Sequence, residues 1–166
     1  MLSDECPVFI KQQPDTLNIQ ADILDKYFMA EAMRQAEKAY EEGEIPVGAV
    51  VVIGERIIGK GYNQTEKLHD VTAHAEMIAI TAASDNLGSK YLPDCTLYVT
   101  LEPCIMCAGA LYWTQMSRVV FGAADEKRGF SRLGKVILHP KTSLTTGILA
   151  TESQELLLKF FRKLRT

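Results

Sequence analysis

One constellation restricts this chain more than any other: His74-Ala75-Glu76 and, far downstream, Pro103-Cys104-Ile105-Met106-Cys107. An imidazole and two thiolates are zinc ligands, and three of them leave one coordination position for water. Three protein ligands with an open position is the arrangement of catalytic zinc, whereas structural zinc is usually closed by four. The fold must therefore bring two distant segments to one point. Cys104 and Cys107 are three apart and share a face of a helix. His74 and Glu76 are two apart, roughly 200° around a regular helix. They converge only in a first turn, where the chain has barely become helical. Both segments are thus expected to aim helix N-termini at the ion, where partial positive charge favours thiolates and hydroxide. Glu76 then serves as a proton carrier beside the water, and the set predicts hydrolysis.

A lone Cys-x-x-Cys also suits structural zinc or a redox dithiol. A structural site needs a fourth ligand, for which His69, His139, Cys6 and Cys95 are the available side chains. A redox dithiol has no use for His-Ala-Glu. The four cysteines permit two disulfides, but the N-terminus, with Asp4, Glu5, Pro7 and Pro14, lacks the basic and apolar regions of a secretory signal. Reduced thiols in the cytoplasm are expected, with Cys95 in a buried strand and Cys6 exposed.

Periodicity supplies the scaffold. In residues 25–42, Phe28, Ala32, Ala36, Ala39 and Tyr40 fall on one stripe, which predicts an amphipathic helix capped by Asp22 or Asp25 and ended by Gly43. β-rich runs at 47–53 and 56–62 flank Gly54-Glu55, a hairpin signal. Residues 63–71 read as a loop and 73–83 as a helix with Thr72 as N-cap. A strand at 96–100 follows, then a helix at 103–114 opened by Pro103, and a strand at 118–123. A loop at 125–134, a short apolar segment at 136–138, a last strand at 148–150 and a helix at 152–164 complete the chain. Helices alternating with strands after an opening hairpin predict an α/β fold, a three-layer α/β/α sandwich around a five-stranded mixed sheet. Residues 1–22 read as a poorly ordered leader, docked at most by Val8, Phe9 and Ile10, and 23–166 as a single zinc-binding domain.

Charge bounds the partners. A net charge of −3 argues against a broad nucleic-acid coat but leaves room for a local footprint. Lys159, Arg162, Lys163 and Arg165 cluster at the C-terminus, and Lys127, Arg128, Arg132 and Lys135 in a glycine-containing loop. No apolar run approaches the roughly 20 residues needed to span a bilayer, so no membrane partner is expected.

His-x-Glu followed by Pro-Cys-x-x-Cys is the signature of zinc nucleobase deaminases. Around it, Glu44-Ile45-Pro46-Val47-Gly48-Ala49-Val50, Gly61-Tyr62-Asn63, Thr100-Leu101-Glu102 and Arg118-Val119-Val120-Phe121-Gly122-Ala123 resemble the cytidine and deoxycytidylate deaminase superfamily. Within it the chain looks most like the bacterial tRNA-specific adenosine deaminases, from about Tyr27 to Arg165. The resemblance implies a cytidine-deaminase-like fold holding one Zn2+ per subunit on His74, Cys104 and Cys107. It implies hydrolytic deamination of adenosine to inosine at the wobble position of a tRNA, usually an arginine tRNA. Zinc-activated hydroxide would attack the ring, and Glu76 would shuttle the proton to the ring nitrogen and then to departing ammonia. The base would be extruded from the anticodon stem-loop, with Asn63 and Ala75 binding the target nucleotide. Phe160, Phe161, Arg162, Lys163 and Arg165 would contact RNA, the phenylalanines by stacking. A homodimer whose RNA site draws on both subunits is implied too. Leu111-Tyr112-Trp113 departs toward guanine deaminases. Deamination of free guanine, or next of cytosine or cytidine, is therefore the competing expectation, unless Trp113 fills the core or a dimer interface.

Overall fold

The computed structural model of the protein describes residues 14–134 and 137–165. Five strands, β1 Gly48–Ile53, β2 Arg56–Tyr62, β3 Cys95–Leu101, β4 Arg118–Ala123 and β5 Ser143–Thr146, form one sheet in the order β2-β1-β3-β4-β5. β1 runs antiparallel to both β2 and β3, while β3, β4 and β5 are mutually parallel, so the sheet is mixed. Its helices are α1 Pro14–Glu41, α2 Thr65–Leu68, α3 Ala75–Leu87, α4 Ile105–Trp113 and α5 Ala150–Leu164.

Strand side chains alternate between faces, and here both faces are covered. Phe28, Met29 and Ala32 of α1 pack on Val50, Val52, Tyr98 and Val120. On the opposite face, Ala75, Ala79 and Ala83 of α3, with Ala108 and Leu111 of α4, pack on Ala49, Val51, Leu97, Val99 and Val119. This is the expected three-layer sandwich. Two strand glycines set the layer spacing. A Cβ on Gly61 would stand 2.3 Å from the Ala75 carbonyl oxygen, and one on Gly48 2.1 Å from that of Ala32. Their bare backbones let α3 and α1 settle directly onto the hairpin. Among the described residues no helix is long and apolar enough to cross a membrane.

Several local expectations are revised. The first helix starts at Pro14, so residues 14–22, read as leader, are helical. Residues 1–13, with Cys6, Val8, Phe9 and Ile10, lie outside the described residues, as do 135–136. Asp25 does not cap α1. It lies inside the helix, and its carboxylate accepts bonds from Arg118 Nη1 and Nη2 at 2.8 and 2.7 Å and from the Tyr98 hydroxyl at 2.8 Å. The polar stretch after β2 contains the single turn of α2. The last strand is 143–146, not 148–150: an edge strand of Ser and Thr, paired on one side only, gives no apolar signal. Thr72 does not cap α3; its hydroxyl and amide bond the Asp70 carboxylate in a turn, at 2.7 and 2.8 Å. Trp113 does not fill the core, being 76% exposed.

Candidate active site

His74 and Cys104 are the N-cap residues of α3 and α4. Their backbones are extended, with φ/ψ of −74°/154° and −73°/173°. Each side chain therefore leaves in a direction that a helical residue cannot take. This resolves the angular conflict between His74 and Glu76: the histidine precedes the helix, and Glu76 is its second residue. Pro103 stands just outside α4, where its carbonyl accepts the Phe130 amide at 3.0 Å. Cys104 and Cys107 follow the end of β3, at the carboxyl ends of parallel strands, where open α/β sheets place their sites.

The His74 Nδ1 atom lies 3.6 Å from Cys104 Sγ and 3.5 Å from Cys107 Sγ, and the three donors lie within 4.8 Å of one another. A tetrahedral zinc, with Zn–N about 2.05 Å and Zn–S about 2.3 Å, has N···S edges of roughly 3.5 Å, so the donor set fits this ion. Among the described residues no fourth His, Cys, Asp or Glu joins the group. His139 packs against the Tyr112 ring at 5.6 Å, and Cys95 is buried in the core. The site thus has the ligand count of a catalytic centre.

Charge within the site is unevenly shared. The Cys104 thiol is held down to about 4, chiefly by the hydrogen bond from Cys107, with His74 adding to it. Cys107 is pushed up by that same bond and by burial. His74 is raised, first by its hydrogen bond with Cys104. Glu76 is 4% exposed, and burial pushes its carboxyl up to about 7. A carboxyl titrating there both takes and gives a proton near neutral pH.

Around this centre the other predicted residues divide. Asn63 ends β2's extension; its amide donates to Val47 at 3.0 Å, and that of Gln64 to Ala73 at 3.0 Å, beside His74. Its side chain is buried against Glu44, a residue to which the sequence attached no separate role. Glu102 was likewise missed. It is buried and accepts the amides of Asp125 and Ser131 at 2.9 Å each, holding the loop that carries Lys127 and Arg128. That loop also bridges Gly129 to Cys104. The only sequence signal for either glutamate is an acid among apolar neighbours, which a solvated turn shows equally. Ala75 is fully buried in the core, backbone and methyl alike. Phe160 is corrected as a stacking residue: it is 5% exposed and packs on Tyr40. Phe161, at 39% exposed, keeps a free edge, and Arg162, Lys163 and Arg165 are exposed. Lys159 and Lys163 lie 5.1 and 5.6 Å from the Tyr40 ring centre, and Lys38 lies 4.6 Å from that of Tyr62. Two basic and aromatic clusters result, one of α5 lysines on Tyr40 and one of Lys38 on Tyr62, the residue preceding Asn63.

The family described as the cytidine and deoxycytidylate deaminase zinc-binding region matches residues 23–123, which enclose all three donors and Glu76. The chain belongs to this deaminase family. It is accordingly a zinc-dependent hydrolase. A tRNA-specific adenosine deaminase of Aquifex aeolicus is 46% identical over 145 residues, covering 84% of this chain and 95% of that one. A solved structure from a study of A-to-I editing by tRNA:A34 deaminases at the wobble position of transfer RNA is 39% identical. It has a TM-score of 0.74 and covers 78% of this chain and 98% of its own. A guanine deaminase from Bacillus subtilis is 41% identical, with a TM-score of 0.57, covering 59% of this chain and 63% of its own.

Proposed function

We propose that this deaminase converts adenosine to inosine at the wobble position of tRNA, gripping the anticodon stem-loop. The observation that carries this reading is the extent of likeness. The tRNA-specific relative is 46% identical and matched over 95% of its length, and the A34 deaminase structure is 39% identical and matched over 98% of its own. His74, Cys104 and Cys107 hold one zinc per subunit, and the bound ion supplies Lewis-acid activation of water. Glu76 accepts one proton of the attacking water and gives it to the ring nitrogen as the C6–O bond forms. It then takes the proton of the new C6 hydroxyl and passes it to the amine, so that the C6–N bond breaks and ammonia leaves inosine behind. Buried in the first turn of α3, its carboxyl has the pKa for both transfers.

The target base leaves its stack to reach the site. Asn63 binds the target nucleotide, and Arg162, Lys163 and Arg165 meet phosphates, with Phe161 offering the stacking surface. Residues 23–166 act as one domain, in the cytoplasm, as a homodimer. Ile105, Met106, Tyr112 and Trp113 support the dimer: together they expose an apolar face on α4. Incubating the zinc-loaded protein with an unmodified arginine-tRNA anticodon stem-loop, and separately with guanine, tests the substrate. Inosine at the wobble position is expected; ammonia from guanine alone would overturn the proposal.

A further inference from the structure

The loop after β4 is held more firmly than a surface loop needs, and it presents a cation that no protein group uses. Glu102, just past the end of β3, accepts the amides of Asp125 and Ser131 at 2.9 Å each. The Asp125 carboxylate accepts those of Lys127 and Arg128 at 3.0 Å, and its carbonyl accepts that of Gly129 at 2.8 Å. The Phe130 amide bonds the Pro103 carbonyl at 3.0 Å, and its side chain is fully buried. Each amide from 127 to 131 is therefore bonded into one frame. Gly129 bridges to the zinc donor Cys104, and a Cβ there would stand 2.3 Å from the Glu102 carboxyl carbon. The loop backbone thus lies directly on that carboxylate. Arg128 is exposed on this frame, and among the described residues its guanidinium makes no ion pair or hydrogen bond. Its charge reaches the metal site: His74 is raised, first by its hydrogen bond with Cys104, and Arg128 opposes that rise. A side chain one residue from the Cys104 bridge, felt at His74 and open to solvent, stands at the mouth of the site.

We propose that Arg128 is a substrate-binding residue that grips a phosphate adjoining the target nucleotide. The assignment rests on the tRNA adenosine reading. A base carried into the site keeps its own ribose at the mouth, and within an RNA chain that ribose is esterified on its 3′ and 5′ oxygens. Adenosine itself is uncharged, so these two phosphates are the anions that the RNA must bring there. A guanidinium meets a phosphate through two parallel N–H···O bonds. A loop already bonded in place gives up little freedom in making them.

The test neutralises one phosphate at a time. Stem-loops carry a methylphosphonate at the linkage 5′ or 3′ of the target, and matched controls keep the phosphodiester. The sugar preceding each such linkage is 2′-deoxy in both strands. Dissociation constants are measured by fluorescence anisotropy on zinc-loaded protein, with Glu76→Gln present throughout so that no substrate turns over. Arg128→Ala should weaken binding of the control strands about tenfold. Neutralising one of the two linkages should weaken the protein that keeps Arg128 about tenfold. The same change should cost the Arg128→Ala protein less than about twofold, because the phosphate has already lost its partner. Arg56→Ala removes an equal charge at the hairpin turn, the end of β2 away from Asn63, and should leave that difference intact. Equal losses with and without Arg128 at both linkages overturn the inference, as does an Arg56→Ala protein that behaves like Arg128→Ala. Absence of inosine from an unmodified stem-loop, with Glu76 in place, would instead overturn the substrate reading beneath it.

Discussion

Glu76 is nearly completely buried, and that burial pushes its carboxyl up to about 7. Glu76→Gln keeps its shape and removes its proton. Turnover is expected to fall by roughly 10²–10⁴-fold, the usual contribution of general acid–base transfer. Metal analysis of the purified variant should still find zinc, and its loss would make Glu76 a ligand instead. Asp70 acts one turn earlier. Hydrogen bonds from the Thr72 hydroxyl and amide hold its carboxyl below the usual 3.8. The unfolded chain then binds this proton more readily than the folded one. The stabilisation is therefore complete above the unfolded value and is lost as pH falls through the lower, folded one. Asp70→Asn should flatten the acid limb of the stability curve below about pH 4, followed by denaturant unfolding across pH. Parallel curves for the two proteins would refute it.

At the scale of elements, the site depends on how closely α3 rests on β2. A Cβ on Gly61 would meet backbone, 2.3 Å from Ala75 O and 2.7 Å from Ala79 N, so α3 would have to move. Gly61→Ala is expected to cost about 1–3 kcal/mol by overpacking. That is about 2–4 °C in Tm per kcal/mol for a chain of this size. Zinc affinity should drop as well, because His74 caps the displaced helix. Gly109 has nothing within 4 Å of such a carbon, so Gly109→Ala should hold or raise Tm in the same thermal melt. Equal Tm values for the two variants would place the close approach elsewhere. These helix starts also show why Thr72 misled as a cap. Neither α3 nor α4 has a side-chain cap hydrogen bond; the cap positions hold zinc donors instead. A locally favoured cap has been given up for the site, which is where agreement between local and global preference is expected to fail.

Across the whole molecule, a net charge of −3 coexists with a local cluster of cations at the end of α5. Lys159 and Lys163 of α5 converge on Tyr40, at the end of α1. Electrostatic binding of RNA scales with the phosphates neutralised, so each lost contact weakens affinity and flattens its salt dependence. Lys163→Ala with Arg165→Ala should reduce the slope of log affinity against log salt by about 1 per phosphate contact removed. Fluorescence anisotropy with the stem-loop measures this. An unchanged slope would move the footprint away from α5, with the Lys127 and Arg128 loop next in line.

The sequence by itself determined the chemistry. Donor types, their spacing and the rise of a helix are local properties, and they suffice to mark His74, Cys104 and Cys107 as zinc donors with Glu76 as the acid beside them. Apolar, β-rich runs likewise specify β1 to β4, because those strands lie in a sheet covered on both faces. Only the tertiary structure decided which polar groups go inside. Glu44, Glu102 and Asp25 look like surface acids in one dimension and become buried acceptors through partners 19 to 93 residues away. It also separated Phe160 from Phe161 and placed the polar edge strand β5. Burial is a property of contacts between distant segments, and no local pattern carries it.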